Sequence, residues 1–292
     1  MSSELSQPSS YWSGYDVLWG LHAPSRRTTL DRLQIVDGAI GIADQEGLGA
    51  VTMRNVARAV HTSPMSLYRH VPDKEALVSM MVDRAIETAA ARGDRPSSGG
   101  WRAGLEFVAT TIWQLCRRHP WFAEATMARP PVTPSGIAGF EYALSCFDDL
   151  PVDIATAAQF VNSVFATVVA SAFSLAMNEA ARLRARVSNQ ELFAEAAPVF
   201  ARIMEDGSYP RVTAFILSAE PRDDSSQMRA SVDLILDGIA ARLEAAPQKS
   251  HAHDVLDHAA RARAASSGSN RRGAARMQES GESDRAVSRA GD

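Results

Sequence analysis

Within residues 52–77 the chain gathers Ser63, Ser66, Tyr68, Arg69 and His70, and Lys74 follows closely. Hydroxyls, a phenol, a guanidinium, an imidazole and an ammonium can donate and accept hydrogen bonds. Here they form no arrangement that makes or breaks covalent bonds. The sequence holds no phosphate-binding glycine loop, no nucleophile elbow and no HExxH. An enzyme is not expected, no catalytic residue is assigned, and the stretch reads as a binding surface. The major groove of duplex DNA suits that surface, because it admits one helix and presents base edges that Ser, Thr, His and Arg can read. Tyr and Lys are suited to the flanking phosphates. The residues expected to touch DNA are Arg54, Thr62, Ser63, Met65, Ser66, Tyr68, Arg69, His70 and Lys74.

Helices must hold these groups in place, and the sequence marks where they begin. Thr52 is a good N-cap, and behind it Met53, Val56, Ala57 and Val60 recur at helical spacing. The chain breaks at His61-Thr62-Ser63. Ser63 caps a second, short helix, and Pro64 fits its first position, where a missing N–H costs nothing. Leu67 and Val71 can pack inward, which leaves Ser66, Tyr68, Arg69 and His70 outside. Upstream, Thr28 or Thr29 can cap a helix with an inner face of Leu33, Val36, Ile40 and Ala43, ended by Gly47 in the left-handed conformation. Gly38 and Gly41 inside that helix each cost about 1 kcal/mol relative to Ala. Downstream, Asp73 can cap a fourth helix, with Glu75 in its first turn and Leu77, Met80, Met81, Ala85 and Ile86 on its buried side, ended by Gly93.

Leu67-Tyr68-Arg69-His70-Val71 followed by Lys74-Glu75-Ala76-Leu77 resembles the helix-turn-helix of the TetR family of bacterial repressors, over roughly residues 28 to 90. The resemblance implies an all-α protein: a three-helix DNA-reading unit, then a larger helical domain for ligand binding and dimerisation. It also implies a ligand-responsive transcriptional regulator of repressor type, bound as a homodimer to a palindromic double-stranded DNA operator and released by a small-molecule effector. One departure is His61, where family members usually carry Gly. If that position needs a positive φ, His adopts it at a cost. The bland alternative for this block is a three-helix subdomain with solvated charges, and Arg58 fits either reading. At the level of the whole chain, the alternative is a helical binding or scaffold protein that does not bind DNA.

The formal net charge is -4, with a pI near 6.0. That excludes a general nucleic-acid coat, which would be basic overall, but it leaves room for a locally basic reading head. Arg54, Arg58, Arg69 and Lys74 face Asp73 alone between positions 52 and 74, and Arg26 and Arg27 lie upstream. The 292 residues divide into an N-terminal extension (1–27), the DNA-reading domain (28–93), the ligand-binding and dimerisation domain (94–246) and a tail expected to be disordered (247–292). The start carries Glu4 and Asp16 and no secretory pattern, while Cys116 and Cys146 form no CxxC pair, so reduced thiols in the cytoplasm are expected. Tyr11, Trp12, Tyr15 and Trp19 cluster ahead of the first helix and can pack on the protein. His251, His253 and His258 lie in a polar tail and make no expected metal site, and no cofactor is implied.

Residues 94–100, DRPSSGG, separate the two domains, and the chain is helical again from Trp101 to His119. Arg118-His119-Pro120-Trp121 resembles the tetracycline-repressor type of C-terminal domain. A short helix around Trp121–Met127, a proline-rich loop, a helix over Ser135–Leu150 and a long one over Asp153–Val187 follow. The long helix has no charge from Ile154 to Asn178, enough to cross a bilayer. Its two distinct faces, Gln159/Ser163/Thr167/Ser171 and Phe165/Val169/Phe173/Met177, favour instead a helix buried on both sides, with no membrane. Met228, Val232, Ile235, Ile239 and Leu243 form a seam that wants a second helix, either across a dimer or inside the domain. A ligand cavity is expected around Trp113, Phe140, Phe147 and Phe165, with Asn162 as an orienting polar group.

Overall fold

The architecture is that of a computed structural model, which describes residues 18–19, 31–93, 95–96, 98–218 and 223–245. All regular structure among them is helical. The reading head comprises α1 (Arg32–Glu46), a 3-10 turn (Leu48–Ala50), α2 (Met53–Ala59) and α3 (Pro64–Leu67). α4 (Lys74–Ala90) leads into the helical domain: α5 (Gly100–Arg118), α6 (Pro120–Ala128), α7 (Pro134–Ser145), α8 (Ile154–Ala185), α9 (Asn189–Asp206), α10 (Pro210–Ser218) and α11 (Asp224–Ala245).

Caps fix most of these boundaries. Thr52, Ser63, Asp73 and Asp153 each accept a backbone N–H with the side chain, as their positions in the sequence predict. α1 differs. Its cap is Asp31, in a reciprocal capping box with Gln34, and Thr28 and Thr29 lie outside the described residues. The inner face shifts accordingly to Ile35, Val36, Ala39 and Ala43, while Leu33 is about half exposed. Gly47 does take a positive φ of 83°, but with ψ 168°, a region open essentially only to glycine and not the left-handed helical one. Gly38 carries a packing role that composition hides: a Cβ there would lie 2.8 Å from a methyl of Val60. α4 ends at Ala90, ahead of Gly93, and α7 ends at Ser145 rather than at Leu150.

α8 is the spine of the helical domain, packed by α5, α6, α7 and α11. Its inward face is Phe160, Val161, Val164, Val168, Val169 and Ala172. Phe165 and Phe173 are half-buried and Met177 is exposed, so the expected apolar stripe is rotated from the true one. An uncharged helix offers two apolar stripes to a periodicity argument, and only its neighbours choose between them. The opposite face, with Gln159, Asn162, Ser163, Ala166 and Ala170, is exposed in the single chain. Although this helix is long and apolar enough to span a membrane, it is the central core element here.

The α11 seam closes inside the chain. Met228, Val232, Leu236 and Ile239 are buried, and α11 packs on α8 and α5. The internal alternative is therefore the observed one. Arg102 of α5 adds a 2.9 Å contact to Asp237. α9 and α10 pack chiefly on each other and leave Val199, Val212, Phe215 and Leu217 exposed. Cys116 is buried and Cys146 half-buried, both as free thiols, and burial pushes the Cys116 thiol up to about 12. It is unreactive at neutral pH.

Candidate nucleic-acid interface

The turn between α2 and α3 sets the presentation of the reading helix. Thr62 N–H donates to the carbonyl of Ala57 (2.9 Å) and His61 N–H to that of Arg58 (3.2 Å). Those two bonds are the paired closure of a Schellman motif, whose pivot residue must be left-handed. The pivot is His61, with φ 54°, as its replacement of the usual glycine implies. A non-glycine residue in that region costs about 1–2 kcal/mol, part of which glycine would forfeit in chain entropy. His61→Gly is therefore expected to stabilise the protein by about 0.5–1 kcal/mol, seen as a rise of a few degrees in thermal midpoint. An unchanged or lower midpoint would show that the imidazole makes a compensating contact.

From that turn Ser63 caps α3. Its hydroxyl accepts the Ser66 N–H at 3.2 Å and lies 3.3 Å from the Ser66 hydroxyl. Leu67 and Val71 are fully buried and anchor the short helix to the core. The side chains around them stay outside. Met65 is 74% exposed and Tyr68 52% exposed, large apolar and aromatic groups held in water by a segment only one turn long. Arg54, Ser63 and Arg69 are exposed, while Thr62, Ser66 and His70 are half-buried. These eight residues are contiguous along α2, the turn and α3. Lys74 stands apart: it is half-buried, with its ammonium 3.4 Å from the carbonyl of Leu48. Arg54, Arg58 and Arg69, all exposed, give the surface its positive charge.

A buried polar junction ties this head to the helical domain. Trp121 Nε1 donates to Asp44 Oδ1 at 2.7 Å, and His119 Nδ1 lies 2.8 Å from the same oxygen. The carboxylate can only accept, so the imidazole proton sits on Nδ1. Asp83 of α4 caps the far side, accepting the Ser135 N–H at 2.8 Å. Trp19 of the N-terminal extension donates to the Val132 carbonyl at 3.2 Å, whereas Tyr11, Trp12, Tyr15, Arg26 and Arg27 fall outside the described residues. Sequence reasoning noted Arg118–Trp121 only as a resemblance and passed over Asp44. The available signal was an acid in the last turn of α1, where the helix dipole disfavours negative charge unless a donor compensates it.

The five expected cavity residues do not gather around one space. Trp113 is core, its indole donating to the Ser225 hydroxyl at 3.2 Å. Phe147 is buried between Trp101 and Phe160, at centroid distances of 6.0 and 5.8 Å. Phe140 and Phe165 are half-buried against the core. Asn162 is exposed, two residues from buried Phe160 and on the other side of α8, so it orients nothing inside the domain. A cavity of about 190 Å3 does open elsewhere, between α4, α6 and the loop after α6, and none of the five lines it. Among the described residues no cluster of metal-ligating side chains occurs.

Comparison with known proteins now decides the family. Residues 35–81 match the bacterial regulatory proteins of the tetR family, and residues 94–243 match the tetracyclin repressor-like C-terminal domain. The HTH-type transcriptional repressor DrrR1 of Streptomyces coeruleorubidus is 32% identical over 246 residues, which span 82% of this chain and 88% of that protein. The chain belongs to the TetR family of bacterial transcriptional regulators. Two solved structures of its fold are those of ActR from Streptomyces coelicolor: the apo form (TM-score 0.63, 22% identity, 75% of this chain and 100% of that one) and the complex with actinorhodin (TM-score 0.61, 20% identity, 74% and 99%). As a TetR-family protein the chain is a ligand-responsive, DNA-binding regulator of transcription, and the scaffold alternative is not favoured.

Proposed function

We propose that this regulator is a repressor that binds a palindromic operator as a homodimer through Arg54, Thr62, Ser63, Met65, Ser66, Tyr68, Arg69, His70 and Lys74. The observation that carries this reading is the exposure of Met65, Tyr68 and Arg69 on a one-turn helix whose other side is fully buried. A soluble domain gains nothing from holding them in water, whereas a groove-reading surface needs them there. The name of DrrR1, a transcriptional repressor, supports the sign of the regulation. The protein acts on DNA in the cytoplasm and carries no enzymatic activity of its own.

Pairing brings two heads about one DNA turn apart (roughly 34–36 Å). The open face of α8, the exposed Leu234 of α11 and the apolar α9–α10 pair are the surfaces left to cover, and a second copy covers them. Release follows when an effector binds better to the form whose heads are wrongly spaced, with α4 as the lever. ActR has been solved with actinorhodin, which supports an aromatic effector here as well. Phe140 and Phe165, backed by Trp113 and Phe147, are the side chains proposed to meet it.

Fluorescence anisotropy on labelled DNA from upstream of the protein's own coding region, with random DNA as competitor, tests the reading. Specific binding in the range of about 10⁻⁸–10⁻¹¹ M, at least about a thousandfold tighter than for random DNA, is expected. Equal affinity for all DNA, or none, would return the chain to the scaffold reading.

A further inference from the structure

The cavity between the reading head and the helical domain lies apart from the aromatic interior of that domain. Leu48 from the 3-10 turn, Val78 and Val82 from α4, and Pro130 from the loop after α6 give it an apolar wall. Lys74 and Arg129, one from each domain and both half-buried, add two cations, and Glu75 is the acid of the lining, exposed to solvent. The lining hydroxyls are already engaged: Ser79 donates to the Glu75 carbonyl (3.0 Å), and Thr133 accepts the Gly136 N–H (3.2 Å). We propose that this junction is a second ligand site, and that it takes a small organic anion with a short apolar body, such as an aromatic carboxylate.

Three features support that chemistry. A volume of about 190 Å3 is smaller than the roughly 300–1,000 Å3 of drug-sized pockets, so the ligand is small. The charges nearest the apolar wall are cationic and partly withdrawn from water, where an ion pair is screened less than at the surface, while the solvated Glu75 carboxylate opposes the anion only weakly. The walls are also pinned: Trp19 holds the Val132 carbonyl, and Asp83 holds the Ser135 N–H. A site that is already ordered spends less of its binding energy on ordering itself.

Its position gives the site a consequence. An anion here draws on Lys74, which is also among the residues proposed to meet DNA, so ligand and operator compete for one ammonium. α6 contributes Ala125 and Ala128 to the cavity, and the same helix carries Trp121, bonded to Asp44 of the head. A ligand at this end of α6 therefore bears on the contact at the other end. This step rests on the operator reading; the site itself does not.

Benzoate is the test ligand, with benzyl alcohol as its neutral counterpart, on the full-length chain without DNA. Methyl-labelled NMR is expected to show saturable benzoate shifts at Val78, Val82 and Leu48, with Kd in the region of about 0.1–1 mM as suits so small a ligand. Arg129→Gln should weaken benzoate by about tenfold and leave benzyl alcohol unchanged. Ala128→Trp, a change at an exposed lining position, should abolish both, and Ala128→Leu replaces it should the tryptophan variant not fold. No benzoate shift, shifts confined to the interior around Trp113 and Phe147, or equal affinity in all variants would overturn the proposal. Because no DNA is used, any of these outcomes leaves the operator reading intact.

Discussion

Replacing Tyr68 and Arg69 together by alanine is expected to eliminate specific operator binding while leaving the fold intact. Each good contact to a base edge is worth about 1–3 kcal/mol, and a dimer loses every contact twice, so the double variant forfeits about 4–12 kcal/mol. The lower figure already corresponds to roughly a thousandfold in Kd. Stability should hardly move. Both side chains are exposed, Tyr68 has ordinary helical φ, and substitutions at such positions fall within about ±0.5 kcal/mol. Anisotropy and a thermal melt on the same preparation separate the two effects. Retained specific binding would mean that α3 is not the reading helix. Lost binding with a fallen midpoint would mean that the variant reports folding and not recognition.

The reading head was legible because its signals are local. Thr52, Ser63 and Asp73 cap their own helices, Pro64 stands where only a first-turn residue can lack an N–H, and the positive φ of His61 follows from its place in the turn. Each of these needs knowledge of a few neighbouring residues only. The α1 boundary slipped because two threonines and Asp31 are all good caps. Gln34, three residues on, is what completes the box with Asp31.

The helical domain was legible as helices and not as a packing. Periodicity found α8 and α11 to within a residue or two, yet it mistook which stripe of α8 faces inward and left the partner of the α11 seam open. Those answers depend on contacts between residues some seventy positions apart, such as those joining α8 to α11. Aromatics chosen as cavity residues became core for the same reason. Trp113 and Phe147 are large and apolar, and size alone cannot distinguish lining a space from filling it. The junction cavity has mostly small or charged walls, which no hydrophobic pattern marks.

Asp44→Ala is expected to loosen the joint between the domains. The carboxylate oxygen accepts Trp121 at 2.7 Å and pairs with His119 at 2.8 Å, and Trp121 is only 2% exposed. Removing the acceptor leaves a buried indole N–H unsatisfied at a cost of about 1–3 kcal/mol, a fall of roughly 2–12 °C in thermal midpoint for a protein of this size. Asp44→Asn, which keeps one acceptor oxygen, should lose less. Trp121→Phe removes the donor instead, and the double variant Asp44→Ala/Trp121→Phe should be less destabilised than the sum of the two by about 0.5–3 kcal/mol if the bond couples them. Strict additivity would show that the contact carries no energy of its own. The functional consequence is sharper than the loss of stability. α6 reaches the head through this carboxylate, through the 3-10 turn and through α4, and only the first of these is a hydrogen bond between charged or polar side chains. With it gone, operator affinity without effector should change little, whereas the loss of affinity that a saturating effector causes should shrink. That asymmetry separates a coupling residue from a merely structural one, because a destabilised head would lose operator affinity whether or not effector is present.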